Sequence, residues 1–339
     1  MPVIHFLNVL EGDCNIIHHD SGRLSVMDVS NAYNDFDTPE EIAAKASQER
    51  KDRLNRTQVP SNKKDYRQKN HPDNPIDYLK NNIGAESIFR FIVSHPDMDH
   101  LDGIKDLYEE FGVSCSWVIP NNKYLDLNTP FGGYNKEDWK FYKDLRDRKY
   151  KPDNSRAYLD SDQYQWYVQD NIKILAPNTG LVKQANDYGD YHDMSYVLLL
   201  TAPKKDGGTW KIIFGGDSHD STWEYILDHY KEEVSNIDVL FAPHHGRDSK
   251  RSYEFLKILK PRLTLFGNAS SEHLAYDCYQ PIRITNNQAG YIILDIEEAA
   301  LNVYVKHYDF ARDFKARRNW SAPVYSAKHK AYSLFQFSK

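Results

Sequence analysis

Apolar positions along this chain gather in short runs separated by polar turns, a grain that predicts strands rather than long helices. Strand-like runs fall at Val3–Val9, Cys14–His18, Leu24–Val29, Ser87–Ser94, Ser114–Ile119 and Ile172–Leu175. They continue at Tyr196–Thr201, Lys211–Phe214, Val239–Phe241, Leu263–Phe266, Tyr291–Ile296 and Leu301–Val305. Helices are expected between several of them. Thr38-Pro39-Glu40-Glu41 is a capping box with proline at the first helical position, and an Ala/Lys/Arg-rich stretch follows it to about Asn55. Further helical patterns lie at Leu101–Phe111, Lys136–Tyr150, Ser221–Tyr230 and Ser252–Leu259. Strands alternating with helices predict an α/β protein, a sheet covered by helices, with strand ends leading into loops that can carry ligands. Two stretches read as insertions, a charged one at about 31–86 and a Tyr- and Trp-rich one at about 122–167. Neither contains a Ser/Gly linker, so residues 1–305 are expected to form one domain, followed by a basic, aromatic C-terminal extension over 306–339.

Composition narrows the class. The 43 Lys and Arg against 49 Asp and Glu leave a net charge of −6, which excludes a histone-like polycation. Apolar residues make up 40% and mean hydropathy is −0.73, as expected of a modest core with large polar insertions, while 13% aromatic residues argue against disorder. Three cysteines without a CxxC spacing build no disulfide framework. No apolar run approaches the ~18 residues that span a membrane, and the N-terminus reads as a strand rather than a signal peptide. A cytoplasmic protein with reduced thiols and no membrane association is expected.

The chemistry concentrates where strands end. His95-Pro96-Asp97-Met98-Asp99-His100 follows the apolar run Ile88–Val93, placing four imidazole or carboxylate groups within six residues. That is metal-ligand chemistry, because a strand that stops abruptly lets the next side chains curl back onto one point. Phe214-Gly215-Gly216-Asp217 follows another run; its glycines allow close backbone approach and its carboxylate can bridge two cations. Ala242-Pro243-His244-His245-Gly246 follows Ile237–Phe241, and Asp190-Tyr191-His192-Asp193 precedes Tyr196–Leu200. The same grammar thus occurs four times. The remaining histidines, among them His5, His19, His219, His307 and His329, match no motif and read as surface or satisfied core residues. Gly12-Asp13 reads as a tight turn between the first two strands, and Asp28 as a hydrogen-bond partner behind a ligand imidazole. No P-loop, GxGxxG, GxSxG or SxxK pattern supports nucleotide-cradling or serine-nucleophile chemistry.

HPDMDH, GGD and HHG in this order resemble the metallo-β-lactamase superfamily of binuclear metallohydrolases, whose first motif is usually HxHxDH. With Asp97 in place of the second His, and with the Leu10-Glu11-Gly12-Asp13 opening, the chain is most similar to the metallo-β-lactamase-like domain of ComEC-type DNA-uptake proteins. The likeness covers about residues 2–305, the insertions excepted. It implies an αββα sandwich with two divalent metal ions, Zn²⁺ or Mn²⁺, at one edge. It also implies His95 and Asp97 on one metal with a third ligand near His192, for which Asp190 or Asp193 are alternatives. Asp99, His100 and one of His244 and His245 are implied on the second metal, with Asp217 bridging. Asp97 makes the first site richer in oxygen and shifts preference from Zn²⁺ toward Mn²⁺. A metal-bridged hydroxide is the implied nucleophile, oriented or deprotonated by Asp99, and His273 stands where relatives place a residue able to protonate a leaving group.

Basic stretches at Lys45–Lys69 and Lys306–Lys339, the second interleaved with aromatic rings, suit single-stranded nucleic acid or a nucleotide as partner. A nuclease or phosphodiesterase is therefore the leading expectation. The alternatives are a hydrolase of small esters, lactones or phosphoesters, with Trp139, Tyr142, Trp166 and Tyr167 as an apolar lid, and a binding or regulatory protein with a vestigial metal site.

Overall fold

Each apolar run named above becomes a strand in the computed structural model, which describes residues 1–33, 65–129, 131–151, 154–160, 162–248, 252–269, 274–280 and 282–338. The helix expected from Thr38 to about Asn55, most of the first insertion and basic stretch, and His273 lie outside the described residues.

Among the described residues, ten strands form one sheet. Its order is β15 (Tyr325–Ser326), β16 (Ala331–Ser338), β14 (Ala300–Val305), β13 (Ile292–Ile296), β1 (Val3–Phe6), β2 (Asn15–His18), β3 (Leu24–Met27), β4 (Ile88–Ile92), β5 (Val113–Trp117) and β6 (Ser155–Arg156). Six strands form the other, ordered β12 (Arg283–Thr285), β11 (Leu263–Phe266), β10 (Val239–Phe241), β9 (Thr209–Phe214), β8 (Val197–Pro203) and β7 (Ile172–Ala176).

Side-chain alternation along the strands sets the layers. In β9 and β10, Ile212, Phe214, Val239 and Phe241 join a core shared with Ile4, Phe6, Ile92 and Leu294 of the ten-stranded sheet. Ile213 and Leu240, pointing the other way, pack against Trp223 and Ile226 of the helix Asp220–Val234 and Leu256 and Leu259 of the helix Phe255–Leu259. On the far side, Val26 and Phe91 pack under Ile104, Leu107 and Phe111 of the helix Ile104–Phe111. The result is helix, sheet, sheet, helix: an αββα sandwich.

Two expectations change here. Trp139 and Tyr142, on the helix Lys136–Arg146, are fully buried in the outer helix layer, and Tyr167 is buried between the sheets. They fill core volume and form no lid, because each is enclosed by apolar neighbours; only Trp166 is exposed, with the Arg23 guanidinium 5.1 Å above its ring. Residues 306–338, set apart in sequence by charge, continue the ten-stranded sheet. β16 pairs antiparallel with β14, and Phe310, Phe314 and Phe337 are buried against the same core. Those three rings are therefore packing residues, while Tyr308, Trp320 and Tyr325 remain exposed. Among the described residues no helix is long and apolar enough to cross a membrane.

Candidate metal centre

Parallel pairing of β3 with β4, and of β9 with β10, brings their C-terminal ends to one edge of the sandwich. The antiparallel β8 starts at that same edge. The HPDMDH segment leaves β4, Asp217 leaves β9, His244 and His245 leave β10, and His192 precedes β8. Local backbone makes this possible. Gly216 has a left-handed φ of 50°, and a Cβ there would lie 2.9 Å from the Tyr196 carbonyl oxygen. Asp28, His244 and His245 also take left-handed φ values, 59°, 53° and 54°, an arrangement that costs non-glycine residues about 1–3 kcal/mol each and concentrates at functional sites.

Four imidazoles are held by one nitrogen and turned inward by the other. His95 Nδ1 lies 3.1 Å from Ser94 Oγ, His100 Nδ1 2.9 Å from Asp28 Oδ2, His192 Nδ1 2.8 Å from Asp190 Oδ1, and His245 Nδ1 3.1 Å from Asp13 Oδ1. Each Nε2 then faces a carboxylate. His95 and His192 Nε2 are each 3.7 Å from an oxygen of Asp97, and His245 Nε2 is 3.6 Å from Asp99 Oδ2. Asp217 lies between: one oxygen is 3.4 Å from His100 Nε2, the other 3.4 Å from His245 Nε2 and 3.7 Å from His95 Nε2. The ligand atoms gather into triads, His95, Asp97 and His192 on one side and Asp99, His100 and His245 on the other, each within 4.8 Å of one another. Anchoring one imidazole nitrogen to an oxygen while aiming the other inward is how ligand histidines are oriented in metal sites.

The electrostatics fit a cation. His95, His100, His245 and Asp217 are all buried, and His95 Nε2 and Asp217 Oδ1 have no hydrogen-bond partner although charged or polar groups stand within 4 Å. A buried polar atom left this way costs about 1–3 kcal/mol, which a divalent ion coordinated by both would remove. Burial, helped by the charge of His100, drives the His95 pKa down to about 3, leaving a neutral ligand. Burial works against protonated His100 and His245 too, but Asp217 with Asp28 beside one and Asp13 beside the other outweighs it, raising both well above the usual histidine range. Asp99 stays ionised: His100 and His245 overcome the burial that would raise its pKa. The site therefore attracts positive charge strongly enough to hold protons where a metal would compete for the same atoms.

All the described candidates converge: His95, Asp97, Asp99, His100, His192, Asp217, His244 and His245 share this edge. Asp193, the alternative to His192, is committed elsewhere, accepting from the Thr222 backbone N–H and hydroxyl. Three further residues join. Asp13 does more than turn the chain, since it holds His245, and Gly12 beside it is needed because a Cβ would lie 1.8 Å from the Asp99 carbonyl oxygen. The signal was the Gly12-Asp13 pair itself, which reads in the sequence only as a turn. His219 is neither surface nor core: its ring stacks on His192 at 4.5 Å, its Nδ1 lies 3.4 Å from Asp190 and its Nε2 3.4 Å from His244 Nδ1. Lys123, from the loop after β5, pairs its ammonium with Asp97; nothing in the sequence pointed to it.

No family model matches the chain, and no curated protein matches it. Among solved structures, it is similar to CmlA, a diiron β-hydroxylase from Streptomyces venezuelae, at 10% identity and a TM-score of 0.45, over 87% of this chain and 54% of that one. It is similar to a diphosphatase from the PhnP family at 12% and 0.37, over 88% and 98%, and to the metallo-β-lactamase fold protein YhfI from Bacillus subtilis at 9% and 0.39, over 84% and 96%. The chain spans about half the length of the CmlA structures it matches. Likenesses this distant say nothing of activity, which the residues themselves must support.

Proposed function

We propose that this protein is a metal-dependent hydrolase of phosphodiester bonds, a nuclease or phosphodiesterase of the metallo-β-lactamase superfamily in the ComEC-like branch. His95, Asp97 and His192 would hold one divalent cation, Zn²⁺ or Mn²⁺, and Asp99, His100 and His245 the other, with Asp217 reaching both. Bound there, such a pair supplies Lewis acidity and makes hydroxide available near neutral pH. The observation that carries the reading is the four-fold anchoring of imidazole Nδ1 atoms, with every Nε2 turned onto a carboxylate of the same cluster.

The same anchoring separates His245 from its neighbour. His245 is held by a carboxylate oxygen, whereas His244 Nδ1 faces the His219 imidazole. His245 is therefore the proposed ligand, and His244, whose Nε2 also lies 3.7 Å from Asp217 Oδ2 but whose Nδ1 faces His219, lines the substrate side with that residue. Asp28 and Asp13 fix the tautomers of His100 and His245, keeping a lone pair on each Nε2. Asp99, held ionised by His100 and His245 within the HPDMDH turn, offers a carboxylate that orients the attacking water. The Lys123 ammonium puts a positive charge at the rim beside Asp97, suited to an anionic substrate rather than a neutral lactone.

Incubating metal-loaded protein with bis-p-nitrophenyl phosphate, single-stranded DNA, RNA and a lactone panel tests this. Diester cleavage is expected, lowered about 10²–10⁴-fold by Asp99→Asn. Lactone cleavage without diester cleavage, or an Asp99→Asn protein of undiminished activity, would overturn it.

A further inference from the structure

Beside the first triad, the loop after β5 is stitched to the C-terminal end of the helix Thr179–Tyr188. The Asn122 backbone N–H donates to Asn186 Oδ1 at 2.7 Å, its side-chain amide donates to the Asn186 carbonyl at 3.1 Å, and the Tyr191 hydroxyl donates to Asn122 Oδ1 at 2.7 Å. From this seam Lys123 turns inward: its side chain is mostly buried, its ammonium pairs with Asp97 and lies 5.5 Å from the centre of the Tyr191 ring. The adjacent Tyr124 turns outward and is 73% exposed, and Tyr188, two residues beyond Asn186, is 81% exposed. Among the described residues these are the two most exposed large apolar side chains, and both stand on this seam, within a few residues of Lys123 and His192. Scattered surface rings are ordinary. Two of them on the backbone segments that this seam joins, next to a cation paired with Asp97, offer the parts of a stacking site, in which aromatic faces take bases and a cation takes the phosphate.

Resting on the phosphodiesterase reading above, we infer that this seam is a nucleotide-binding lip, with Tyr124 and Tyr188 stacking on nucleobases and the Lys123 ammonium engaging a phosphate oxygen. The substrate is then a nucleoside phosphodiester, found in a free dinucleotide and in single-stranded nucleic acid alike. Of the tail rings, Phe310, Phe314 and Phe337 are buried against the core and cannot supply this function.

Calorimetric titration of the metal-loaded full chain with thymidine 5′-monophosphate and with methyl phosphate tests the lip. The nucleotide is expected to bind at least about tenfold more tightly. Tyr124→Ala and Tyr188→Ala should each cut that preference roughly fivefold or more, while Tyr124→Phe and Tyr188→Phe keep it, because stacking needs the ring and not the hydroxyl. Lys123→Met should weaken both ligands by a similar factor. Equal affinity for the two phosphates, or alanine variants that retain the preference, would overturn the inference. Tighter binding of oligothymidylate than of dithymidine monophosphate identifies the polymer as the source, and equal binding the dinucleotide; the lip stands in both. A protein that takes up no metal and cleaves no diester loses the phosphodiesterase reading itself. One that cleaves diesters yet binds both phosphates equally loses only the lip.

Discussion

Replacing Asp28 by Asn changes one atom of the carboxylate behind His100 and tests the tautomer argument directly. The position favours a clean exchange. Asp28 has a left-handed φ of 59°, which Asn adopts readily, and its volume is conserved. Oδ1 accepts the Ser94 backbone N–H at 2.7 Å, a bond the Asn carbonyl can keep. Oδ2 lies 2.9 Å from His100 Nδ1, and there an amide N–H replaces an acceptor. His100 then satisfies that donor only by leaving Nδ1 unprotonated, which moves its proton to Nε2, the atom aimed at Asp217 and the second triad. Metal binding must displace that proton or break the new hydrogen bond. Changes behind ligand histidines typically cost 10–100-fold in metal affinity, about 1.4–2.7 kcal/mol at 1.36 kcal/mol per decade. Competition titrations with a chromophoric chelator, run on wild type and Asp28→Asn, should show one of two cations loosened by that factor and the other little changed. Two cations bound as in wild type would refute the assignment of His100 Nε2 as a ligand atom.

In cation-free protein the raised pKa values of His100 and His245 contribute stability that is full below the unfolded value of about 6.5 and fades as pH rises through the folded values. The melting temperature of chelator-treated protein should thus fall above about pH 6.5, while the gain from added Zn²⁺, which competes with those protons, should grow; a gain that shrinks between about pH 6.5 and 8.5 would contradict it. His245→Ala should remove one bound cation by elemental analysis, whereas His244→Ala should keep both, and the reverse result would exchange their roles. Gly12→Ala sets a methyl 1.8 Å from the Asp99 carbonyl oxygen at a φ of +80°, so denaturant unfolding should show a loss of about 1–3 kcal/mol or more. Trp139→Ala, emptying a fully buried site, should cost about 3–5 kcal/mol; a loss under about 1 kcal/mol would mean the ring is not core.

The strands were legible because their residues alternate between two buried faces, so that almost every position is apolar, as in Ile212-Ile213-Phe214 and Val239-Leu240-Phe241. Where a strand is short or sits at an edge, that signal vanishes. Ser155–Arg156 and Arg283–Thr285 carry no apolar run, and β16 mixes buried and half-exposed positions among serine and glutamine. The helix Thr179–Tyr188 was missed because few of its residues are buried, although Asn178 caps it by accepting from the Leu181 N–H. The site motifs were readable for a different reason: ligands adjacent in sequence announce themselves. Asp13, His219 and Lys123 reach the same point from separate loops, and only the fold brings them there.

What the fold adds to the motifs is a reason for so many buried charges. His95, His100, His245, Asp28, Asp13 and Asp217 are each less than 10% exposed, and ionised groups in such surroundings are expensive unless paired. Pairing explains part of the set: Asp28 with His100 and Asp13 with His245. Asp217 faces His100 and His245 at 3.4 Å, yet its Oδ1 accepts no hydrogen bond, and pairing leaves His95 Nε2 without one too. A purely structural cluster has no use for two such buried atoms turned toward one point, beside the left-handed backbone of Gly216, His244 and His245. Divalent cations would give both a partner and turn the cost of the cluster into affinity, and that is the ground for proposing a metal centre here.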